Sequence, residues 1–381
     1  MGRTVSSLRI SRSALGRLEQ LGTGGTAVVH RLPDLTLPGH PGREFVYKEY
    51  REKTRKAAGP SLGSGLENLV RFRGKLPVRQ QTSWDDRIIW PVMVVTDAGD
   101  EVSGIVMPII PDRFFQIYQR RSGQTDRRPR EVDALFGDEE TMRRVGLPDS
   151  GVVTRLRLIL GIAEAYGMMH KEGVILGDIS ARNVVYDPDS VRPAVLVVDV
   201  DSARVRGTRS IFSSQPHTPG WEPPEALVAA ARNKDTSLSP HESDQLRNTW
   251  AVQSTRTDVY KFGLLVIRIL DHGRQRSRNR QPAAAAQILR THIGRPAATL
   301  LERSVDADPA VRPSMREWYD VLRHGKGRER PSSGPAGRVA AGATQRVSQA
   351  SRIPDGHRIG SFVWKEGTGW VRSASADPDR S

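Results

Sequence analysis

The sequence predicts an α+β chain of two unequal lobes, a small antiparallel sheet followed by a mainly helical part, with a flexible tail behind them. Three observations predict it. Short β-rich runs broken by Gly- and Pro-containing turns occupy residues 1–111, ending in Met107-Pro108-Ile109-Ile110-Pro111, a natural hinge. Residues 152–170 carry apolar side chains at helical spacing. From 324 to 356 the chain is Gly, Arg, Ser, Pro and Ala, the composition of a flexible basic linker. The expected organisation is therefore a first lobe over 1–111, a second over 112–325, and a linker with a short Trp-containing tail over 326–381.

Composition narrows the function classes. Cysteine is absent from the 381 residues, which excludes disulfides and thiolate metal sites and fits a reducing, cytoplasmic setting. No apolar run approaches the ~18 residues of a membrane span, and charges scattered through the first twenty residues exclude a secretory signal. The net charge of +15 invites acidic partners, but the basic residues are dispersed with few aromatics between them, and no nucleic-acid-binding module emerges.

Along the first lobe, Leu8, Ile10, Leu15 and Leu18 lead into Gly22-Thr23-Gly24-Gly25-Thr26-Ala27-Val28-Val29. Gly22, Gly24 and Gly25 let the backbone lie close over phosphates and offer N–H donors without Cβ obstruction. Strands are expected at Ala27–His30 and Glu44–Tyr50, the latter carrying Lys48 at the end of an apolar run, where a buried amine needs an anionic partner. Glu67, opening the helix-compatible run Leu66–Phe72, is the candidate carboxylate for that amine. Two more strands are expected at 88–95 and 101–110.

In the second lobe, the helix over 152–170 ends at the glycine cap Gly173. Asp178 and Asn183 follow between two short apolar runs, and the strand Ala194–Val198 ends in Asp199-Val200-Asp201. Phosphoryl transfer uses such a set: a carboxylate that orients a hydroxyl and accepts its proton, with an Asn and a second Asp to hold Mg²⁺.

The order of glycine loop, strand Lys, helix Glu, D-x-x-x-x-N and D-x-x resembles the protein-kinase signature set over roughly residues 15–325, in the manner of a bacterial relative of the eukaryotic-type kinases. The resemblance implies a two-lobed kinase-like fold that transfers the γ-phosphate of ATP, with Mg²⁺ or Mn²⁺, to a hydroxyl of a protein substrate, Ser or Thr by preference. It implies that Lys48 holds the α- and β-phosphates and pairs with Glu67. Asp178 would be the base, Asn183 and Asp199 metal ligands, Met107 the gatekeeper, and Val29, Val46 and Val185 walls of the adenine pocket. His217–Glu225 resembles the end of an activation segment, Asp258–Gly263 the start of the buried central helix, and Asp308–Pro313 the segment whose Arg312 pairs with Glu225.

The departures matter as much. Leu176-Gly177 stands where His-Arg precedes the base, so a phosphorylated loop has no evident basic pocket. Arg182 is placed to supply the positive charge usually found two residues after the base, where this chain has Ser180. Asp201 replaces the glycine of D-F-G, either adding a metal ligand or capping the following turn. Two other readings stay open: a nucleotide-binding interaction module without turnover, and a small-molecule phosphotransferase, for which Gly177-Asp178 fits. Residues 119–150 and 229–256 read as surface insertions, and 359–372 as a hairpin around Glu366-Gly367-Thr368.

Overall fold

The computed structural model describes residues 8–325 apart from 121, 148–149, 189–192, 209–210, 213–214, 235–236 and 274–275, together with three short strands between 358 and 372. The chain forms a small N-terminal sheet followed by a largely helical part, an arrangement compatible with two lobes. The linker expected after 325 lies outside the described residues.

Six strands build the first sheet: β1 (Arg9–Ser11), β2 (Glu19–Thr23), β3 (Ala27–Leu32), β4 (Phe45–Tyr50), β5 (Met93–Thr96) and β6 (Val102–Pro108), in the order β1-β5-β6-β4-β3-β2. All neighbours are antiparallel except β1 and β5, which run parallel. The wholly antiparallel sheet expected from the sequence is corrected at that edge. The fifth strand is also shorter than expected. Ile88, Ile89 and Trp90 are core residues outside any strand, with Ile88 bridging to Val197 and the Trp90 indole donating to the Leu69 carbonyl.

Side chains alternate across β4. Phe45 and Tyr47 join Leu15, Leu32, Val95 and Val106 in a satellite core on one face, which turns Val46, Lys48 and Tyr50 to the other. Between β4 and β5 lie α1 (Glu52–Ala58), α2 (Ser61–Lys75) and α3 (Val78–Asp85), with Leu62, Leu66 and Leu69 of α2 buried.

The helical part begins with a hairpin of β7 (Phe115–Gln119) and β8 (Thr125–Pro129) and the short α4 (Glu139–Arg144). Val132, Leu135, Phe136 and Met142 are buried in the main core, so the surface insertion expected at 119–150 is corrected in its later part, while the hairpin residues 122–128 are largely exposed. Next come α5 (Val152–Lys171), β9 (Val174–Ile175), β10 (Val184–Asp187), β11 (Ala194–Val197) and β12 (Arg204–Val205). Then follow α6 (Pro224–Arg232), α7 (Pro240–Ala251), α8 (Thr255–Leu270), α9 (Ala283–His292), α10 (Arg295–Ser304) and α11 (Met315–His324).

Every residue of α8 from Thr257 to Leu270 is buried, as a helix apolar on most faces must be. It is the pillar on which α5, α9 and α10 pack. By contrast α7 buries no residue along its length, so the surface reading of 229–256 holds for that helix but not for the buried Ala229 and Gln253 on either side of it. The tail strands β13 (Arg358–Ile359), β14 (Phe362–Lys365) and β15 (Gly369–Arg372) form an antiparallel sheet, with Lys365 opposite Gly369 as a hairpin there requires. No helix among the described residues is long and apolar enough to cross a membrane.

Candidate active site

Four separate stretches of chain meet where the sheet faces the helical part. Lys48 projects from the cleft face of β4, 8% exposed. Its ammonium group donates to Asp199 and, at 2.8 Å, to Oδ1 of Asp201. The other oxygen of Asp201 accepts the Tyr50 hydroxyl at 2.6 Å. Tyr50 is two residues beyond Lys48 on the same strand, so both side chains reach the same carboxylate.

Electrostatics follow from this geometry. Burial acts to lower the Lys48 pKa, but Asp201 and Asp199 outweigh it and hold the amine above its ordinary value. Burial acts to raise the Asp201 carboxyl, and Lys48 with the Tyr50 hydroxyl outweighs that and holds it low. The Tyr50 phenol is raised well above its usual range by burial and by the Asp201 charge. The two carboxylates differ in access: the Asp199 side chain is 51% exposed toward the cleft and that of Asp201 only 12%. Asp199 adopts a left-handed backbone conformation, φ 59° and ψ 43°, at the end of β11.

Glu67 does not take part. It pairs with Arg9 at 2.7 Å and lies 3.7 Å from Arg71, so the expected Lys48–Glu67 pair is replaced by Lys48–Asp201 and Lys48–Asp199. Helix geometry gives the reason. The segment after Asp201 packs on α2 at Gly65, where a Cβ would stand 2.7 Å from the Ile211 side chain. Two residues further along a helix is a turn of about 200°, which points Glu67 away from that contact.

Asp178 and Asn183 flank a short turn between β9 and β10. The Asn183 amide donates to the Asp178 carbonyl at 2.6 Å, leaving the Asn183 side-chain oxygen free of that bond. The Asn183 carbonyl accepts from the Val198 N–H at 2.9 Å, which sets Asn183 beside the turn that carries Asp199. The Asp178 carboxylate accepts the Thr218 hydroxyl at 2.6 Å, the relation a base needs to a hydroxyl group. Arg182, by contrast, is exposed and leans toward Asp133 at 3.5 Å and Glu131 at 3.9 Å. It shows no bond to Asp178.

Beneath this turn α8 supplies the support. Asp258, wholly buried, accepts the Leu176 and Gly177 N–H groups at 2.9 Å each and pairs with His170 at 2.9 Å. Lys261, also wholly buried, donates to the Gly177 carbonyl and, at 2.7 Å, to the Gln253 side chain. Burial lowers its pKa to about 8. Gln253 in turn donates to the Pro216 carbonyl at 2.8 Å, tying the Thr218 segment to the same framework. Gly177 has φ +73°, and a Cβ there would lie 2.6 Å from the Gln215 amide.

An apolar wall stands beside these polar groups. Val46 faces Met107 across β4 and β6, and Val29 faces Lys48 across β3 and β4. Met107 packs onto the buried cluster of Ile89, Phe114, Val185 and Leu196. The loop over Gly22, Gly24 and Gly25 closes with the Gly24 N–H on the Ala27 carbonyl at 2.8 Å. A Cβ placed on Gly22 or Gly25 would meet no atom within 4 Å, and one on Gly24 would meet only the Ala27 carbonyl at 3.6 Å. These glycines are exposed, so the loop backbone carries no side chain over its N–H groups.

The donor set suits a hard divalent cation: the half-exposed Asp199 carboxylate and the Asn183 oxygen, with no thiolate or imidazole. Among the described residues no cluster of three or more His, Asp or Glu is arranged to hold a metal by itself. A cation that keeps its waters and shares phosphate oxygens needs only one or two carboxylates.

Four participants were missed from sequence. Tyr50 carried a signal, its two-residue spacing from Lys48. Lys261 carried one too, as the charge inside the apolar run of α8. Gln215 and Gln253 carried none, since nothing local marks a buried amide. No protein-family profile and no curated protein matches the chain.

Proposed function

We propose that the chain is an ATP-dependent protein kinase that transfers the γ-phosphate to a protein hydroxyl, Ser or Thr by preference, in a cytoplasmic setting. The observation that carries the reading is a set of contacts that links Lys48 to Asp199, the neighbouring Val198 to Asn183, and Asn183 to Asp178, drawn from three segments beside an apolar wall and a glycine loop. On this reading the wall of Val29, Val46, Met107 and Val185 receives the adenine, and Gly22, Gly24 and Gly25 cover the phosphates. Lys48 leaves Asp199 and contacts the α- and β-phosphates while Asp201 keeps it in place. Asp199 and Asn183 would hold Mg²⁺ or Mn²⁺, which when bound would offset the charge on the phosphate oxygens.

Asp178 orients the substrate hydroxyl and accepts its proton. The hydroxyl oxygen bonds to the γ-phosphorus, the bond from that phosphorus to the bridging oxygen breaks, and ADP leaves with the electron pair. Arg182, exposed and turned to Glu131 and Asp133, takes no part in this account.

A second reading, a nucleotide-binding interaction module without turnover, is favoured by one observation. Lys48 is already neutralised by two carboxylates and Glu67 is committed to Arg9. The test is γ-phosphate transfer by the purified protein with Mg²⁺ or Mn²⁺, beside Asp178→Asn and Asp199→Asn. Transfer to the protein itself or to a generic protein substrate, lost in both variants, supports the kinase. ATP binding that requires Lys48 without any transfer supports the binding module, and transfer to small molecules alone supports a small-molecule phosphotransferase.

A further inference from the structure

Away from the cleft, α5, the start of α8 and α11 enclose a cavity of about 640 Å³, within the range of small-molecule sites. Its floor is apolar, including Met168, Val259 and Met315. Its rim is basic: Lys171, Arg206, Arg256 and Arg316 line it against a single acid, Glu164. That acid is already engaged by Arg87 at 2.9 Å. Arg316 pairs with Asp320 at 2.7 Å, and Arg256 donates to the Arg312 carbonyl. Lys171 and Arg206 make no side-chain ion pair or hydrogen bond among the described residues, so uncompensated positive charge faces an apolar hollow.

We propose that this cavity binds a small amphiphilic anion, an apolar body of roughly drug-fragment size carrying a carboxylate, sulfonate or phosphate head. The Ser254 and Ser314 capping boxes already satisfy first-turn N–H groups of α8 and α11, so recognition rests on the side chains. Charge argues against two other occupants. The segment that follows α11 carries Lys326, Arg328, Arg330 and Arg338, and a second copy of the chain also has net charge +15. Both would bring like charge to a basic rim, whereas an anion neutralises Lys171 and Arg206 while its body displaces water from the floor. The proposal is independent of the phosphotransfer reading.

The test uses the full chain and the fluorescent anion 8-anilinonaphthalene-1-sulfonate, with decanoate, decyltrimethylammonium and inorganic phosphate as competitors. Saturable binding of one dye, displaced by decanoate but not by the cationic amphiphile or by phosphate alone, is the expected result. Gly167→Phe should abolish it. Gly167 lines the cavity on α5, a Cβ there meets Met315 only at 3.9 Å, and the ring would fill the hollow without crowding the core. Lys171→Glu with Arg206→Glu, both on exposed side chains, should weaken binding by about tenfold or more. Absence of dye binding, equal competition by the cationic amphiphile, or wild-type affinity in the charge-reversed protein would each overturn the proposal. So would undiminished binding in a folded Gly167→Phe variant.

Discussion

Lys48 and Asp201 are 2.8 Å apart across 153 residues of sequence, and Asp201 is held on its other side by Tyr50. The lysine of the candidate site is thus fixed by a carboxylate from the turn after β11 and not by the helix carboxylate Glu67. This exchange works because Asp201 is closed to solvent and Asp199 is open. One carboxylate can stay with the amine while the other faces the cleft.

If Asp201 positions Lys48, Asp201→Asn should reduce γ-phosphate transfer by about 10- to 100-fold, the scale of a misplaced phosphate contact. Glu67→Gln, which removes the partly exposed ion pairs with Arg9 and Arg71, should change transfer by no more than about twofold. Steady-state rates of the two variants decide it. A larger loss in Glu67→Gln than in Asp201→Asn would restore the helix carboxylate as Lys48's partner.

What the sequence made legible were features with local signatures. The glycine loop between β2 and β3, the lysine near the end of β4, the long α5 with Gly173 behind it, and the hairpin of β14 and β15 each announce themselves by spacing or turn chemistry. The Glu225–Arg312 pair followed from resemblance, and the structure has it. What could not be read were long-range choices between equivalent partners. Asp201 and Glu67 are both carboxylates that would satisfy Lys48, and tertiary packing of α2, through buried Leu62, Leu66 and Leu69 and the close approach of Ile211 to Gly65, decides which way the helix faces. The parallel pairing of β1 with β5 and the burial of Phe136 and Met142 are likewise set by tertiary contacts that leave no local pattern.

Arg312 binds Glu225 through two parallel bonds of 2.8 and 2.7 Å and is wholly buried, stacked 4.9 Å from the Tyr260 ring. Removing the carboxylate strands a buried guanidinium, so Glu225→Ala should cost about 3–5 kcal/mol in urea unfolding. The double variant with Arg312→Met should recover part of that loss, because the stranded charge goes with it. A double variant as unstable as the sum of its single variants would show that the two residues act separately.

Gly177→Ala tests the turn beneath Asp178. The left-handed backbone there costs an alanine about 1–2 kcal/mol. Its Cβ must also displace the buried Gln215 amide, which it would approach to 2.6 Å. The expected loss in stability is about 2–4 kcal/mol. Transfer should fall further than stability explains, because Gln215 belongs to the segment that carries Thr218 against Asp178. Measuring activity at a temperature where the variant is fully folded separates the two effects, and full activity there would remove Gly177 from the positioning of Asp178.

Lys261 gives the fold a predictable response to alkali. Burial lowers its pKa to about 8 from an ordinary value of 10.5. Between those values the unfolded chain holds the proton and the folded chain has released it, so the unfolded state binds more protons and stability rises with pH. Below about 8 both states are protonated and the cost of burying the charge is fully present. Above the ordinary lysine value both are neutral and that cost is gone. From pH 8 to about 9.5 the gain should be on the order of 1.5 kcal/mol. The window closes near pH 10, where tyrosines such as Tyr47 and Tyr118, raised to about 12 when folded, begin to favour the unfolded chain. Urea midpoints across the window should climb for the natural chain and stay flat for Lys261→Met, since methionine keeps the volume without the titrating group. Parallel slopes in the two proteins would mean that Lys261 keeps its proton when folded, held by the Gly177 carbonyl and Gln253 as a permanent cation beneath the turn that carries Asp178.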